Sequence, residues 1–294
     1  MPALTPPEAR PVITPRNIRF AFDESLPADW HSGEPGITVF YDALSLTFPE
    51  GERFFIESVR NFAAQIDDPR LKADVQAFTS QESIHSREHA AYNALMAARG
   101  IPVEKFERMI RAGTRFVSRH VPKKALLAAT CAYEHYTALF AELLLGDRRL
   151  LADAHPFYRD IWRWHAMEEE EHKAVAFDVY QTAARDRLSY IRRVIAMLIV
   201  TLDFWITNRG LIVWLMIKRR QFWNLRAWGR VFWHLWVSPG VWRRVMAGVF
   251  GYMAPDFHPW KREVRPEVLA WRSFYRQNAK RVPMSASIFD TAGA

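Results

Sequence analysis

The chain has one cysteine, Cys131, in 294 residues, so no internal disulfide can brace it, and a reducing compartment suits it. Glycine is scarce at 12, which disfavours a turn-rich β fold, and no stretch shows the period-2 alternation of a half-buried strand. Internal repeats and low-complexity tracts are absent as well. The opening MPALTPPEARPVITPRNIRF has prolines where the apolar core of a secretory leader would stand, so a cytoplasmic protein is expected. The apolar run 194–217 is interrupted by Asp203 and by Asn208-Arg209-Gly210. The two pieces are each shorter than the roughly 20 residues of a membrane span, and no clear crossing is expected. No Gly-x-Ser-x-Gly elbow announces acyl transfer through a serine.

What is present is apolar and basic. Half the residues are hydrophobic, 12 are tryptophan, and the formal net charge is +8. At 34.3 kDa the chain is long enough for a large buried core. The basic residues gather beyond Arg185, where they interleave with Trp, Leu, Ile and Val. Nucleic acid is not the partner expected of such a pattern. It suits a membrane interface or an apolar partner, with peripheral contact at the inner membrane through 190–250, and it suits equally two buried helices of a soluble core.

Prolines and glycines divide the chain. Residues 1–35 read as an extended N-terminal arm. Residues 36–188 read as a bundle of four long helices and one shorter one, joined by short linkers. The first helix is placed at 48–66, where Phe54, Phe55, Val59, Phe62 and Ile66 keep helical spacing. Asp68-Pro69 caps the second, which runs to Gly100. A shorter helix covers about 102–119, the next spans 123–146, and Pro156 opens a last long one through residue 185. Residues 189–277 form a Trp/Arg-rich extension of shorter helices broken at Gly210, Pro239 and Pro255, and 278–294 is a polar tail. The fold class expected is all-α, a four-helix bundle with additional C-terminal helices.

The chemistry concentrates in WRWHAMEEEEHKAVAFD, residues 162–178. His165, Glu169 and His172 stand at i, i+4 and i+7, on one helix face. Glu168, Glu170 and Glu171 rotate to the flanks and read in part as solvated surface. On the second helix Glu82 and His85 repeat the Glu-x-x-His spacing. A single such pair is ordinarily surface charge; His89, Glu88 and His135 are read that way, or as partners that orient a ligand. Two pairs on separate long helices are what a bundle uses to build a dinuclear carboxylate site, completed by one glutamate from each remaining helix. Glu134 is that residue on one. On the other it is Glu52, with Glu57 as the alternative. Four carboxylates balance two divalent cations, and His85, His165 and His172 add neutral nitrogen donors. Mixed carboxylate and imidazole donors suit iron or manganese, and zinc remains an alternative. Asp178 is either an orienting partner or plain surface.

At these residues the chain resembles the ferritin-like di-iron carboxylate superfamily, in the order Glu52, Glu82-x-x-His85, Glu134, Glu169-x-x-His172. The stretches FPEGERFF, QESIHSREH and WHAMEEEEHKAVAFD also resemble the bacterial family described as predicted metal-dependent hydrolases, over roughly 38–280. With His165 added, the ligand pattern alone is similar to the histidine-rich di-iron site of p-aminobenzoate N-oxygenase. The resemblance implies a ferritin-like bundle with two metal ions, two Fe first among them. The expected function is a di-iron oxygenase or oxidase of an apolar or lipid-like substrate, served by an electron donor. The alternative is a hydrolase using a metal-bridged water. A homodimer is a further expectation, and storage cages are disfavoured by the Trp-rich extension.

Overall fold

The computed structural model describes residues 11–262 and 266–277; what the sequence suggests for 1–10 and for the polar tail 278–294 lies outside the described residues. Proline sets the helix starts. Helix α1, Pro35–Arg60, is capped by the Glu34 carboxylate, which accepts from the amides of Gly36 and Ile37 at 2.8 and 2.9 Å. It therefore begins well before the residue-48 start expected, and it carries Pro49 in its interior. That proline removes the donor that would satisfy the Ser45 carbonyl. The Asn93 side-chain amide supplies the missing bond at 3.2 Å, so α1 continues unbroken.

Helix α2, Pro69–Ala98, is capped by Asp68 and followed by Gly100, whose φ of +85° is the left-handed conformation glycine reaches without strain. Then come α3 (Val103–His120), α4 (Lys123–Gly146), α5 (Pro156–His172) and α6 (Val175–Ala183). The last long helix of the sequence reading is thus two helices, parted at Lys173 and Ala174. α1, α2, α4 and the α5–α6 pair pack together as a bundle.

Beyond it, α7 (Ser189–Lys218) is one helix of 30 residues running straight through Gly210, not the broken pieces expected. It is long and apolar enough to cross a membrane by length and composition, with 33% of its most apolar window buried. α7 lies on α4 and α1, α8 (Leu225–Phe232) on α1, α9 (Val241–Tyr252) on α4, and α10 (Pro266–Gln277) on α4 and α5. At Gly248 of α9 any Cβ would collide with Leu139, so glycine there sets how closely α9 approaches α4. The N-terminal arm crosses the bundle without helix, and Phe20 and Phe22 pack on Phe157 at ring separations of 5.8 and 4.9 Å. Among the described residues there is no strand beyond one isolated bridge, His31 to Ala154. The protein is an all-α helical bundle with one continuous apolar core.

Candidate metal centre

Four helices turn carboxylate and imidazole side chains toward one interior point. α1 brings Glu52, α2 brings Glu82 and His85, α4 brings Glu134, and α5 brings His165, Glu169 and His172. All seven are buried. They fall into two groups, Glu52–His85–His165 and Glu82–Glu134–Glu169–His172, within each of which the candidate ligand atoms lie within 4.8 Å of one another. Glu169 faces both. Its Oε1 is 2.8 Å from His165 Nε2 and 3.7 Å from His85 Nδ1, while Oε2 is 3.5 Å from His172 Nε2. Glu57 is exposed on the outer face of α1, away from this interior.

The outward nitrogens of the three imidazoles are anchored, which turns the other ring nitrogen of each inward. The Ser45 hydroxyl donates to Asn93 Oδ1 at 2.8 Å, so it accepts from His89 Nδ1 at 2.9 Å. His89 Nε2 then accepts from His165 Nδ1 at 2.7 Å, which turns His165 Nε2 toward Glu52 and toward Glu169, whose Oε1 it meets at 2.8 Å. Gln81 donates through Nε2 to Glu171 and to the Thr14 carbonyl, so its Oε1 accepts from His172 Nδ1 at 2.9 Å. His85 Nε2 donates to Glu168 Oε2 at 3.0 Å, and its Nδ1 points inward with no partner. Such outward anchoring is the arrangement by which proteins orient imidazole ligands.

The inward atoms are orphaned by any other account. Both oxygens of Glu52, Glu82 and Glu134, Glu169 Oε2, His85 Nδ1 and His172 Nε2 are buried without a hydrogen bond. His172 Nε2 lies only 3.0 Å from Glu82 Oε1, but not in line for one. Burial, and then the neighbouring carboxylates, raise the carboxyl groups of Glu52 and Glu134 well above their ordinary value. Burial raises Glu82 too, against the pull of His172. Burial works against ionising Glu169 and His172, yet their mutual attraction wins, lowering the carboxyl and raising the imidazole well beyond their usual values. Four carboxylates in a dry interior are short of positive charge, and His172 Nε2 holds a cation whether that is a proton or a metal ion. The residues present fit two divalent cations.

The flanking glutamates correct the sequence reading. Glu168, Glu170 and Glu171 are buried, not solvated. Arg16 of the arm donates to Glu168 at 3.1 Å and to Glu171 at 2.7 Å, and Lys173 reaches Glu170 at 3.0 Å. Arg272 of α10 donates to the Glu170 carbonyl at 3.0 Å. Arm and C-terminal helix thus cover the outer sides of α5, which helical periodicity alone does not reveal. His89 and Glu88 are buried rather than at the surface; Glu88 accepts from the Phe20 amide at 2.8 Å. His135 is also buried and donates to the Gly248 carbonyl at 3.1 Å. Asp178 pairs with His258 at 2.9 Å. Helical spacing of Glu and His does not by itself point to Gln81 or Arg16. Gln81 had a signal, because Gln81, His85 and His89 recur every four residues on one face of α2; Arg16, in an aperiodic arm, had none.

A cavity of about 460 Å³ leads to the centre. Its wall is mainly apolar, with Phe48, Phe55, Phe140, Trp162 and Val200 among its residues. Of the seven, only Glu52, His165 and Glu169 line it. Glu52, His165 and Glu169 therefore meet whatever enters, and His85, Glu82, Glu134 and His172 lie behind them. The cavity draws on α1, α3, α4, α5 and α7, so the C-terminal extension contributes part of its wall.

Neither the curated proteins nor the solved structures provide a match to the chain. The family model described as predicted metal-dependent hydrolase matches residues 14–263, from the arm through α9. That range takes in all seven residues of the centre and most of the chain, and the chain belongs to this family.

Proposed function

We propose that the chain is a two-metal enzyme of the ferritin-like type that acts on an apolar, lipid-like substrate, and that its reaction is hydrolysis of a bond in that substrate. The observation that carries this is the position of the seven buried ligating residues at the end of an apolar cavity, three of them in its wall. One metal ion falls to Glu52, His85 and His165, the other to Glu82, Glu134 and His172, with Glu169 facing both. One glutamate and one Glu-x-x-His motif from each half of a four-helix bundle is the ferritin-like pattern. Bound there, two divalent cations lower the pKa of a shared water and polarise a carbonyl, while iron in the same place also activates dioxygen. The chain's own part is to bind and exclude. The aromatic wall holds an apolar chain, the bundle keeps bulk water out, and the anchored imidazoles fix donor geometry. The family description supports hydrolysis.

Oxidation by a di-iron centre fed by an electron donor is the second reading. The observation favouring it is the cavity wall near Glu52, where Phe48 and Trp162 suit a C–H bond better than a charged leaving group. One preparation tests both. Metal per chain is measured after expression in iron-sufficient medium, followed by acyl-ester hydrolysis without oxygen and by oxygen uptake with a reductant and a fatty chain. About two metals per chain with anaerobic hydrolysis is the expected result. Substrate-dependent oxygen uptake without hydrolysis moves the assignment to oxidation, and a metal-free chain overturns both.

A further inference from the structure

Helix α7 buries one side against α1 and α4 and leaves the other bare. Ile191, Ile195, Leu198, Leu202, Ile206 and Val213 are exposed, at steps of three, four or seven residues, so they form one stripe. From residue 191 to exposed Ile217 the stripe runs roughly 40 Å at 1.5 Å per residue. Helix α3 carries a second exposed apolar set, Met109, Phe116 and Val117. Three apolar residues belong to surface and cavity at once: Ile199 is 63% exposed, Met109 61% and Val117 39%, yet all line the cavity. The mouth of the cavity therefore opens between α3 and α7, inside the apolar surface. Past the end of α7, Trp223 and Leu225 are 86% and 80% exposed.

The charge around this surface has one predominant sign. Exposed Arg115 and Arg119 lie on α3, and exposed Lys218, Arg220, Arg226 and Arg230 lie at the far end of α7 and on α8. The single acidic residue of α7, Asp203, accepts from the Tyr133 hydroxyl at 2.6 Å. We infer that this face docks on an anionic lipid bilayer and that the cavity takes its apolar substrate directly from it. The substrate half of that statement rests on the function proposed above; the docking half does not. Apolar stripe, exposed tryptophan and cationic flanks together are what holds a helix in the headgroup layer. A second copy of the chain fits worse, because its face would bring the same positive charge. Crossing the bilayer fits worse too, since Met197, Val200, Leu215 and Met216 on the opposite side of α7 are packed into the core.

The test is flotation of the purified full chain with vesicles of phosphatidylcholine alone or mixed with phosphatidylglycerol. The chain should float with the anionic vesicles, lose that binding in high salt, and come off in alkaline carbonate. The double variant Leu202→Glu/Ile206→Glu should bind about ten-fold less, and Arg115→Glu/Arg119→Glu should also weaken binding. Helix content by circular dichroism and metal per chain identify a folded variant. Trp223→Ala serves as a second probe of the face should the double variant misfold. Glu169→Ala should float like the parent, which separates docking from the metal centre. The inference is overturned by a parent that stays in solution with anionic vesicles, by folded variants that bind undiminished, or by resistance to carbonate. A dimer dispersed by the double variant, with no vesicle binding, would assign the face to self-association instead.

Discussion

Gln81 ligates nothing, yet its one free acceptor holds His172 Nδ1 at 2.9 Å, and its amide is held in turn by Glu171 at 2.9 Å. Losing it frees the imidazole to rotate away from Glu82 and Glu134. Gln81→Leu should therefore lower metal affinity about 10- to 100-fold, the usual loss when a partner orienting a ligand is removed. Competition with a chelator, read as metal per chain, measures this. Glu171→Ala should fall in the same direction, because it releases both Gln81 and Arg16, whereas the helix position of Glu171 alone points to no effect. Glu57→Ala, on the exposed side of α1, should leave metal content unchanged. If Gln81→Leu retains metal like the parent, the anchoring described for His172 is not what sets its affinity. Glu82, His85, Glu169 and His172 stand out in the sequence because Glu-x-x-His repeats on two helices, whereas Glu52 is told from Glu57 only by which side of α1 is buried. The residues that hold these side chains do not stand out, since Arg16 reaches Glu168 and Glu171 across more than 150 positions of chain.

Helices were easier to find than to delimit. α2 and α4 were legible because Asp68-Pro69, Gly100 and Pro122 mark their limits. The expected span 48–66 misses the first half of α1 and overruns its end at Arg60, and the bond that lets the helix pass through Pro49 comes from Asn93, 48 positions beyond Ser45. Removing that amide leaves the Ser45 carbonyl buried and unpaired, so Asn93→Ala should cost about 1–3 kcal/mol. In a Pro49→Ala background the backbone donor is restored, and the same substitution should cost less. Urea denaturation of the four proteins of this cycle gives the coupling; equal cost in both backgrounds would sink the explanation. α7 was misread in the opposite sense. Gly210 lowers helix propensity without stopping a helix whose flanking Asn208, Leu211 and Ile212 are buried. Beyond its chain neighbours and its own helix backbone nothing lies within 4 Å of where its Cβ would be, so Gly210→Ala should stabilise the chain by about 1 kcal/mol. A denaturation midpoint that does not rise would show that something other than intrinsic propensity governs that turn.

At the scale of the molecule, the all-α class and the ligating helices follow from periodicity, while the closure of arm, α9 and α10 over the bundle is long-range packing that leaves little local trace. That closure also buries histidines that lie outside the seven. His135 sits between α4 and α9, and burial lowers its imidazole to about 4 despite the bond to Gly248, with Arg262, Lys173 and Arg193 adding to the shift. His234, after α8, is lowered to about 3 by burial and by neighbouring His31, against the weaker pull of Asp147. Both start from an ordinary value of 6.5. A folded-state value below the unfolded one means that the unfolded chain binds the proton more readily. The stability these two residues contribute is complete above pH 6.5 and is lost as the pH falls toward 4 for His135 and toward 3 for His234. At about 1.4 kcal/mol per unit, each removes on the order of 3 kcal/mol by pH 4. Acidic groups titrate over part of that range, so the decisive quantity is a difference between proteins. His234→Leu cannot take up the proton, so its stability should decline less steeply between pH 7 and 5 than the parent's. Urea midpoints at several pH values measure both slopes. Parallel slopes would mean that His234 finds a partner for its charge in the fold, and that acid sensitivity arises elsewhere.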